Sequence, residues 1–431
     1  MRISKRFLVA TSALTLSMSA AAFADSNKAY LDQIQSGGGT GTNSALIDQS
    51  GGEGNEAGSD SQNIRQKATS NKNNTLNIVQ SGNYNDIGLG GFEQKAESGP
   101  NSSLGNTATI TQSSSYNVVG KVTQFNRFGG SAGENSLTIL QEMGDGNEIT
   151  EVFQDKHKGA SGNTADILMS GVDNTIALVQ QAATGGIAGN FMDVDITGDN
   201  NGNAPLSGFA ALSGANTSEL KQGFADNNDG NWPKGNNSLT LNIAGHNNQF
   251  GVTQEGTNNT VGTLSITGSD NELGISQAGN ANIVDLAVLG GNFNNIGIAQ
   301  LGTNFADVSI SGSSNEAGIL QVGWNGNGSD GFGVKLTIDG DYNGTGYFSG
   351  AAQSVGGAFN GVIGQGGSDN LFDATITGNS NMFAGGQLGD DNTIQATVTG
   401  DTNQFAVLQM GDSNMASLVQ TGNGNNAGIS Q

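Results

Sequence analysis

Apolar and polar residues alternate along most of this chain, in short segments that resemble one another. Asn74-Thr-Leu-Asn-Ile-Val-Gln80 and Asn271-Glu-Leu-Gly-Ile-Ser-Gln277 each put an asparagine, two apolar residues and a glutamine on one side, with small or polar residues on the other. A period of two marks a strand with one buried face, because successive side chains of extended backbone point to opposite sides. Gly, Asn and Asp fill the few residues between segments, as tight turns require. The predicted unit is strand, turn, strand, turn.

The units repeat. Gln365, Gln387, Gln409 and Gln431 recur every 22 residues, and Asn381, Asn392, Asn403, Asn414 and Asn425 every 11. Self-similarity of that length predicts an all-β fold, a β-solenoid of two facing parallel sheets. Counting paired segments gives about 14 rungs, opening near Asn43, Asn74, Asn106, Asn135, Asn163, Asn190, Asn237, Thr260, Asn282, Asn304, Phe332, Asn370, Asn392 and Asn414. At ~4.8 Å per strand the rod is expected to be roughly 65–70 Å long. Insertions fall at 202–215 and 344–358, and Pro100, Pro205 and Pro233 all lie between strands, where no ladder amide is needed.

One rung buries too little apolar surface to offset the entropy of ordering its backbone, so rungs are stable only as a stack. Stacked amide side chains suit this, since each donates to the copy on one side and accepts from the copy on the other. The residues expected to form such assembly ladders are Asn74, Gln80, Asn85, Gln112, Asn117, Gln141, Gln254, Asn271, Gln277, Gln300, Asn315, Gln321, Gln387, Asn403, Gln409, Asn414, Gln420, Asn425 and Gln431. The segments Asn414 to Gln420 and Asn425 to Gln431 complete the pattern without an atypical polar repeat after them, and are expected to dock a second molecule.

Composition adds boundaries. Arg2, Lys5 and Arg6 precede an apolar run from Phe7 to Phe23, and Ala22-Phe23-Ala24 offers the small residues that precede a signal-peptidase cut. The expected division is a signal peptide at 1–24, a Gly/Asn-rich lead segment at 25–42 and the repeat solenoid at 43–431. No later run approaches the ~18 apolar residues of a membrane span. The signal takes three of the 15 basic residues and none of the 38 acidic ones, which moves the net charge from −23 to −26 and disfavours nucleic acid as a partner. The chain has no cysteine, so an exported form owes its stability to repetition.

At its repeats the chain resembles the curlins, the secreted subunits of the bacterial surface amyloid called curli. Their repeat runs Ser or Asn, Gln six positions later, then Gly-x-x-Asn-x-Ala-x-x-x-Gln. Gln80-Ser-Gly82-Asn-Tyr-Asn85 and Asn315-Glu-Ala317-Gly-Ile-Leu-Gln321 carry pieces of it, and the pattern recurs over residues 43–431. The resemblance implies a two-sheet β-solenoid, export through an outer-membrane curlin channel, assembly with itself and with a nucleator subunit, and adhesive fibres in the biofilm matrix at the cell surface. The chain departs from the family in three ways. An aliphatic residue replaces the first-half glutamine from the sixth rung to the thirteenth, at Ile196, Ile243, Ile266, Val288, Ile310, Ile338, Ile376 and Val398. The repeats are about three times as many as is usual in the family. The family's export tag is represented only by Ser36-Gly-Gly-Gly-Thr-Gly-Thr42.

The outward faces differ. One carries Asp166, Asp193, Asp285, Asp307 and Asp373, with Thr109, Thr138 and Thr240 in other rungs. The other carries Gly58, Gly88, Gly120, Ala177, Gly251, Gly274, Gly297, Gly318, Ala384, Ala406 and Gly428. Bare backbone of that kind is expected to admit another backbone closely, and lateral bundling of fibres is expected there.

Chemistry finds little footing. Gly129-Gly-Ser131-Ala-Gly133 and Gly326-Asn-Gly328-Ser-Asp-Gly331 match nucleophile-elbow and nucleotide-loop patterns, but neither has the strand and helix that such motifs need. His157 and His246 lie in a polar loop and a turn. Turn aspartates such as Asp270, Asp390, Asp401 and Asp412 are expected to hold their turns by hydrogen bonds, and the nine-residue calcium repeat is absent. Phe250, Phe372, Phe383 and Phe405 are predicted core, and Trp232 and Trp324 fall in connections. No enzyme, metal or cofactor is expected. Two functions stay open: a secreted self-assembling fibre subunit, and a monomeric secreted β-solenoid serving as an adhesin or polysaccharide-binding module. Ice binding is the weaker variant, because the threonine row at Thr107, Thr109 and Thr111 is broken by Phe191, Asp193, Ile283 and Asp285 in later rungs.

Overall fold

Parallel pairing between strands one turn of chain apart organises the molecule in the computed structural model, which describes residues 26–36, 41–69, 71–97, 104–127, 133–157, 159–185, 187–223, 235–287, 290–325 and 333–431. The expected signal at 1–24 lies outside these residues, as do Pro100, Ser131, Trp232, Pro233, Val288, the 326–331 motif and Phe332. The fold is the all-β solenoid that the alternation predicts. Sheet I runs from Leu31–Ser36 through strands such as Val118–Asn126, Glu272–Asn280 and Met382–Leu388 to Asn426–Ser430. Sheet II runs from Asn43–Asp48 through Asn73–Gln80, Asn135–Glu142 and Ser238–Ala244 to Met415–Thr421. Every named pairing is parallel, and like pairs with like: Phe250, Gly251 and Gln254 lie on Leu273, Gly274 and Gln277.

Inward residues of the two sheets meet in one continuous core of Ile, Leu, Val, Ala and Phe. Phe250, Phe372, Phe383 and Phe405 belong to it, each no more than 1% exposed. Trp324 is on the outside at 71% exposed. At the corner that carries Asn85, Asn117, Asn271 and Asn425, the residue before each ladder asparagine turns in the left-handed region. Asp270, for example, has φ 57°, and bulky Tyr116, Phe293 and Tyr342 do the same. Such backbone is costly outside glycine. It is held here because the amide of the following asparagine donates to the asparagine side chain one rung away, as Asn271 N–H does to Asn248 Oδ1 at 3.0 Å.

Three details differ from the sequence reading. The parallel ladder reaches N-terminal of residue 43, since Leu31–Ser36 lies in register on Ile64–Thr69. Two rungs open on asparagines next to or well before the expected residues, Asn259 beside Thr260 and Asn325 ahead of Phe332; a plain run of Asn neighbours hid the first and an insertion the second. The aliphatic replacement in sheet II begins one rung early, where Met169 lies on Gln141.

The two insertions are not surplus loop. Each folds into a one-turn helix, α1 (Gly208–Leu212) and α2 (Gly350–Gln353), and lies on the outer face of sheet I. No described helix is long and apolar enough to cross a membrane.

Candidate assembly surface

Each inward amide side chain stands on its counterpart in the next rung. In sheet I one glutamine column is unbroken: Gln33, Gln66, Gln94, Gln124, Gln154, Gln181, Gln222, Gln254, Gln277, Gln300, Gln321, Gln365, Gln387, Gln409 and Gln431. Every Nε2 donates to the Oε1 of the next, from 2.7 Å between Gln33 and Gln66 to 3.1 Å between Gln387 and Gln409. The second Nε2 hydrogen crosses to sheet II, as Gln277 does to the Thr260 carbonyl at 3.2 Å. The column thus joins rung to rung and sheet to sheet.

The asparagines form two further columns of opposite sense. Asn74 Nδ2 donates back to Asn43, Asn106 to Asn74 and Asn135 to Asn106, at 3.0–3.1 Å, and the line continues to Asn414, whose Nδ2 lies 3.0 Å from Asn392 Oδ1. The other corner carries Asn85, Asn117, Asn271, Asn315, Asn403 and Asn425. Each Oδ1 can take both the side chain and the backbone amide of the next asparagine, while the donating Nδ2 also reaches a turn carbonyl, as Asn271 does to Gly291 at 2.9 Å. Aspartate cannot donate in this way. Asn85 and Asn403 keep the backbone bond, but their own Nδ2 is buried without a partner.

The second glutamine column is short. Gln49, Gln80, Gln112 and Gln141 are bonded at 2.8–2.9 Å and then give way to Met169 and Ile196. Gln141 ends the run without loss because its Nε2 donates to the carbonyl of Asn147 at 2.9 Å. Gln420 reintroduces glutamine on Val398, and its Oε1 is buried with no donor.

Turn aspartates bond as the sequence suggests: Asp390 Oδ1 accepts the Ser368 amide at 2.8 Å, and Asp412 Oδ1 that of Asp390 at 3.0 Å. His246 Nδ1 accepts the Asp199 amide at 3.1 Å. On the outer face of sheet II, Asp166 and Asp193 are register neighbours, and so are Asp285 and Asp307. Burial, then neighbouring carboxylates, raises the pKa of Asp193; burial, offset by Lys335, raises those of Asp307 and Asp373; and burial raises that of Glu316.

Where the two insertions lie, at Gly251, Gly274, Gly297, Gly318 and Gly428, the bare face of sheet I is already occupied, which corrects the expectation that it waits there for another molecule's backbone. A Cβ on Gly274 would stand 2.1 Å from the Ala210 carbonyl, on Gly297 1.8 Å from that of Phe209, and on Gly428 2.1 Å from that of Ala351; the Phe209 ring lies over Gly318. Both insertions dock in one manner. Ser207 bonds Glu272 while the Ala210 amide donates to Asn295 Oδ1 at 2.8 Å; Ser349 bonds Gln404 while the Ala352 amide donates to Asn426 Oδ1 at 2.7 Å. Each helix therefore clips two successive rungs. The shared Ser-Gly-x-Ala, at 207–210 and 349–352, is the signal that would have revealed the pair.

Sequence reasoning also missed the early part of the sheet I column. Gln124 follows Asn117 by seven residues, and Gln94 follows Asn85 by nine, because the strand jogs at Gly120 and at Gly88–Gly91. It missed two buried lysines as well. Lys72 is 1% exposed and its ammonium has no hydrogen-bond partner; Lys156 is fully buried, with Nζ 3.1 Å from the Gly133 carbonyl. Burial pushes both amines down, and Lys72 adds to the effect at Lys156. No protein-family model matches the chain, and no curated protein matches it.

Proposed function

We propose that this protein is a secreted, self-assembling structural subunit of curli-like fibres that serve surface adhesion and the biofilm matrix. The observation that carries the reading is the unbroken glutamine column from Gln33 to Gln431, bonded in one sense at every step. Each rung is both a copy of its neighbour and its template, so pairing between molecules can use the bonds that pair rungs within one. The repeat resemblance to curlins agrees with this, and so do the apolar leader and the lack of cysteine. The outer face of sheet II presents aspartate and threonine without a continuous threonine row for ice. The test is incubation of residues 25–431 at high concentration. Amyloid-dye binding and seedable fibres are expected; a chain that stays monomeric for days and binds no dye would overturn the reading.

A further inference from the structure

Beside the clipped column, the outer face of sheet I changes character along its length. Towards the N-terminus it is charged, with Arg65, Lys95, Lys121, Glu151 and Asp155 pointing outward. Over the later rungs it is apolar. Leu301, Val322, Gly366, Leu388 and Met410 lie in register in one column, and Ala299, Leu320, Gly364, Gly386 and Leu408 in the column beside it. Leu301, Leu320, Val322, Leu388 and Met410 are each 42–58% exposed. Neither column carries a charged side chain over these rungs, in a chain of net charge −23.

The strip has relief. Its floor is glycine: a Cβ on Gly364 would meet nothing within 4 Å, and one on Gly366 only the tip of Leu388. Leu320 and Val322 rise on one side of the floor, Leu388 and Met410 on the other. None of Gly364, Gly366 and Gly386 has left-handed backbone, so the conformation does not require glycine there. The α1 and α2 clips show what the same face accepts elsewhere, namely main chain seated directly on glycine.

We propose that this strip is a lateral contact between two copies of the chain lying antiparallel, so that Leu320 and Val322 of each copy rest over Gly364 and Gly366 of the other. A two-fold axis along the strands, between those two rungs, makes the fit reciprocal and sets Leu301 against Leu388. A second copy is the occupant because it supplies the same ~4.8 Å rung spacing and an equally uncharged strip, so that this contact brings together no carboxylates of the two acidic rods. Five rungs by two columns cover on the order of 200–300 Å², far below the ~800 Å² per partner of a stable pair. Single molecules are therefore expected to pair weakly, and rods carrying many strips in line to bundle. In that respect the inference rests on the fibre reading above.

The natural chain has no cysteine, so disulfide trapping reads the contact directly. Chains carrying Leu320→Cys and Gly364→Cys are mixed under mild oxidant, at high concentration and, separately, as fibres. Chains carrying Thr397→Cys, exposed on sheet II, are the control. The mixture is expected to cross-link several-fold faster than the control, and Leu388→Lys is expected to abolish the cross-link and to leave fibres that elongate but stay single in electron micrographs. Cross-linking no faster than the control, with bundles unchanged by Leu388→Lys, overturns the contact. Specific cross-linking in a chain that never forms fibres keeps the contact and removes the fibre reading.

Discussion

A buried amide stabilises this solenoid to the extent that its donor and its acceptor both find partners. Gln300 accepts from Gln277 at 2.9 Å and donates to Gln321 at 2.8 Å. Gln300→Ala would orphan a donor on one side and an acceptor on the other, at about 1–3 kcal/mol each, and leave a cavity besides. A loss of roughly 3–5 kcal/mol in denaturation of the soluble chain is the expected outcome. Gln420 is the opposite case, because Val398 beneath it offers no donor. Gln420→Ile continues the aliphatic column; it gives up the Nε2 bond to the Gln404 carbonyl at 3.1 Å but removes the orphaned Oε1, and is expected to change stability by no more than about 1 kcal/mol, whereas a loss as large as that of Gln300→Ala would show that the Oε1 has a donor. The buried lysines give a pH slope. Their folded pKa lies below the ordinary 10.5, so between the depressed value and 10.5 the unfolded chain binds more protons than the folded one. Stability from these groups is lost as pH falls through that window and returns as it rises. Urea midpoints measured from pH 7 to 10 should rise less steeply for Lys72→Met with Lys156→Met than for the natural chain; parallel curves would mean that the amines are solvated.

The strands and clips are held by different means, and this decides what the sequence could disclose. A strand rung announces itself because Asn, two apolar residues and Gln recur at fixed spacing, so the register of Glu272–Asn280 on Asn295–Ser309 can be read from Gln277 and Gln300 alone. The pattern fades where the spacing is broken, as between Asn85 and Gln94, or where one side chain stands in for another, as Met169 does for glutamine. A helix of four or five residues has no period to read, and α1 is specified instead by distant contacts with Glu272 and Asn295. The occupied face of sheet I was therefore invisible, although its glycines were plain. Gly297→Ala puts a methyl group 1.8 Å from the Phe209 carbonyl oxygen. It is expected to unseat the α1 clip while the ladder persists. Hydrogen exchange should then quicken in residues 204–216 and stay slow in Glu272–Asn280; unchanged protection of the clip would contradict its docking on bare backbone.

At the scale of the whole rod, acidity shapes behaviour more than any single bond. Asp193, Asp307, Asp373 and Glu316 have pKa values raised, mainly by burial, with carboxylate neighbours contributing at Asp193 and Asp307. Between the ordinary carboxylate range and those raised values the folded rod holds more protons than the unfolded chain. Their contribution is therefore greatest below that window and is lost as pH rises through it. Thermal midpoints are expected to rise, and assembly lags to shorten, as pH falls from 7.5 towards 4.5; added salt should shorten lags at neutral pH by screening. A lag that lengthens on acidification would mean that these carboxylates are already paired. One pattern of stacked strands is proposed to serve both within the molecule and between molecules. Diffraction from aligned fibres of residues 25–431 tests it most directly. A meridional reflection at ~4.7–4.8 Å with an equatorial one near ~10 Å is expected; fibres with the 4.7–4.8 Å reflection on the equator, or no ordered assembly at all, would contradict shared pairing within and between molecules.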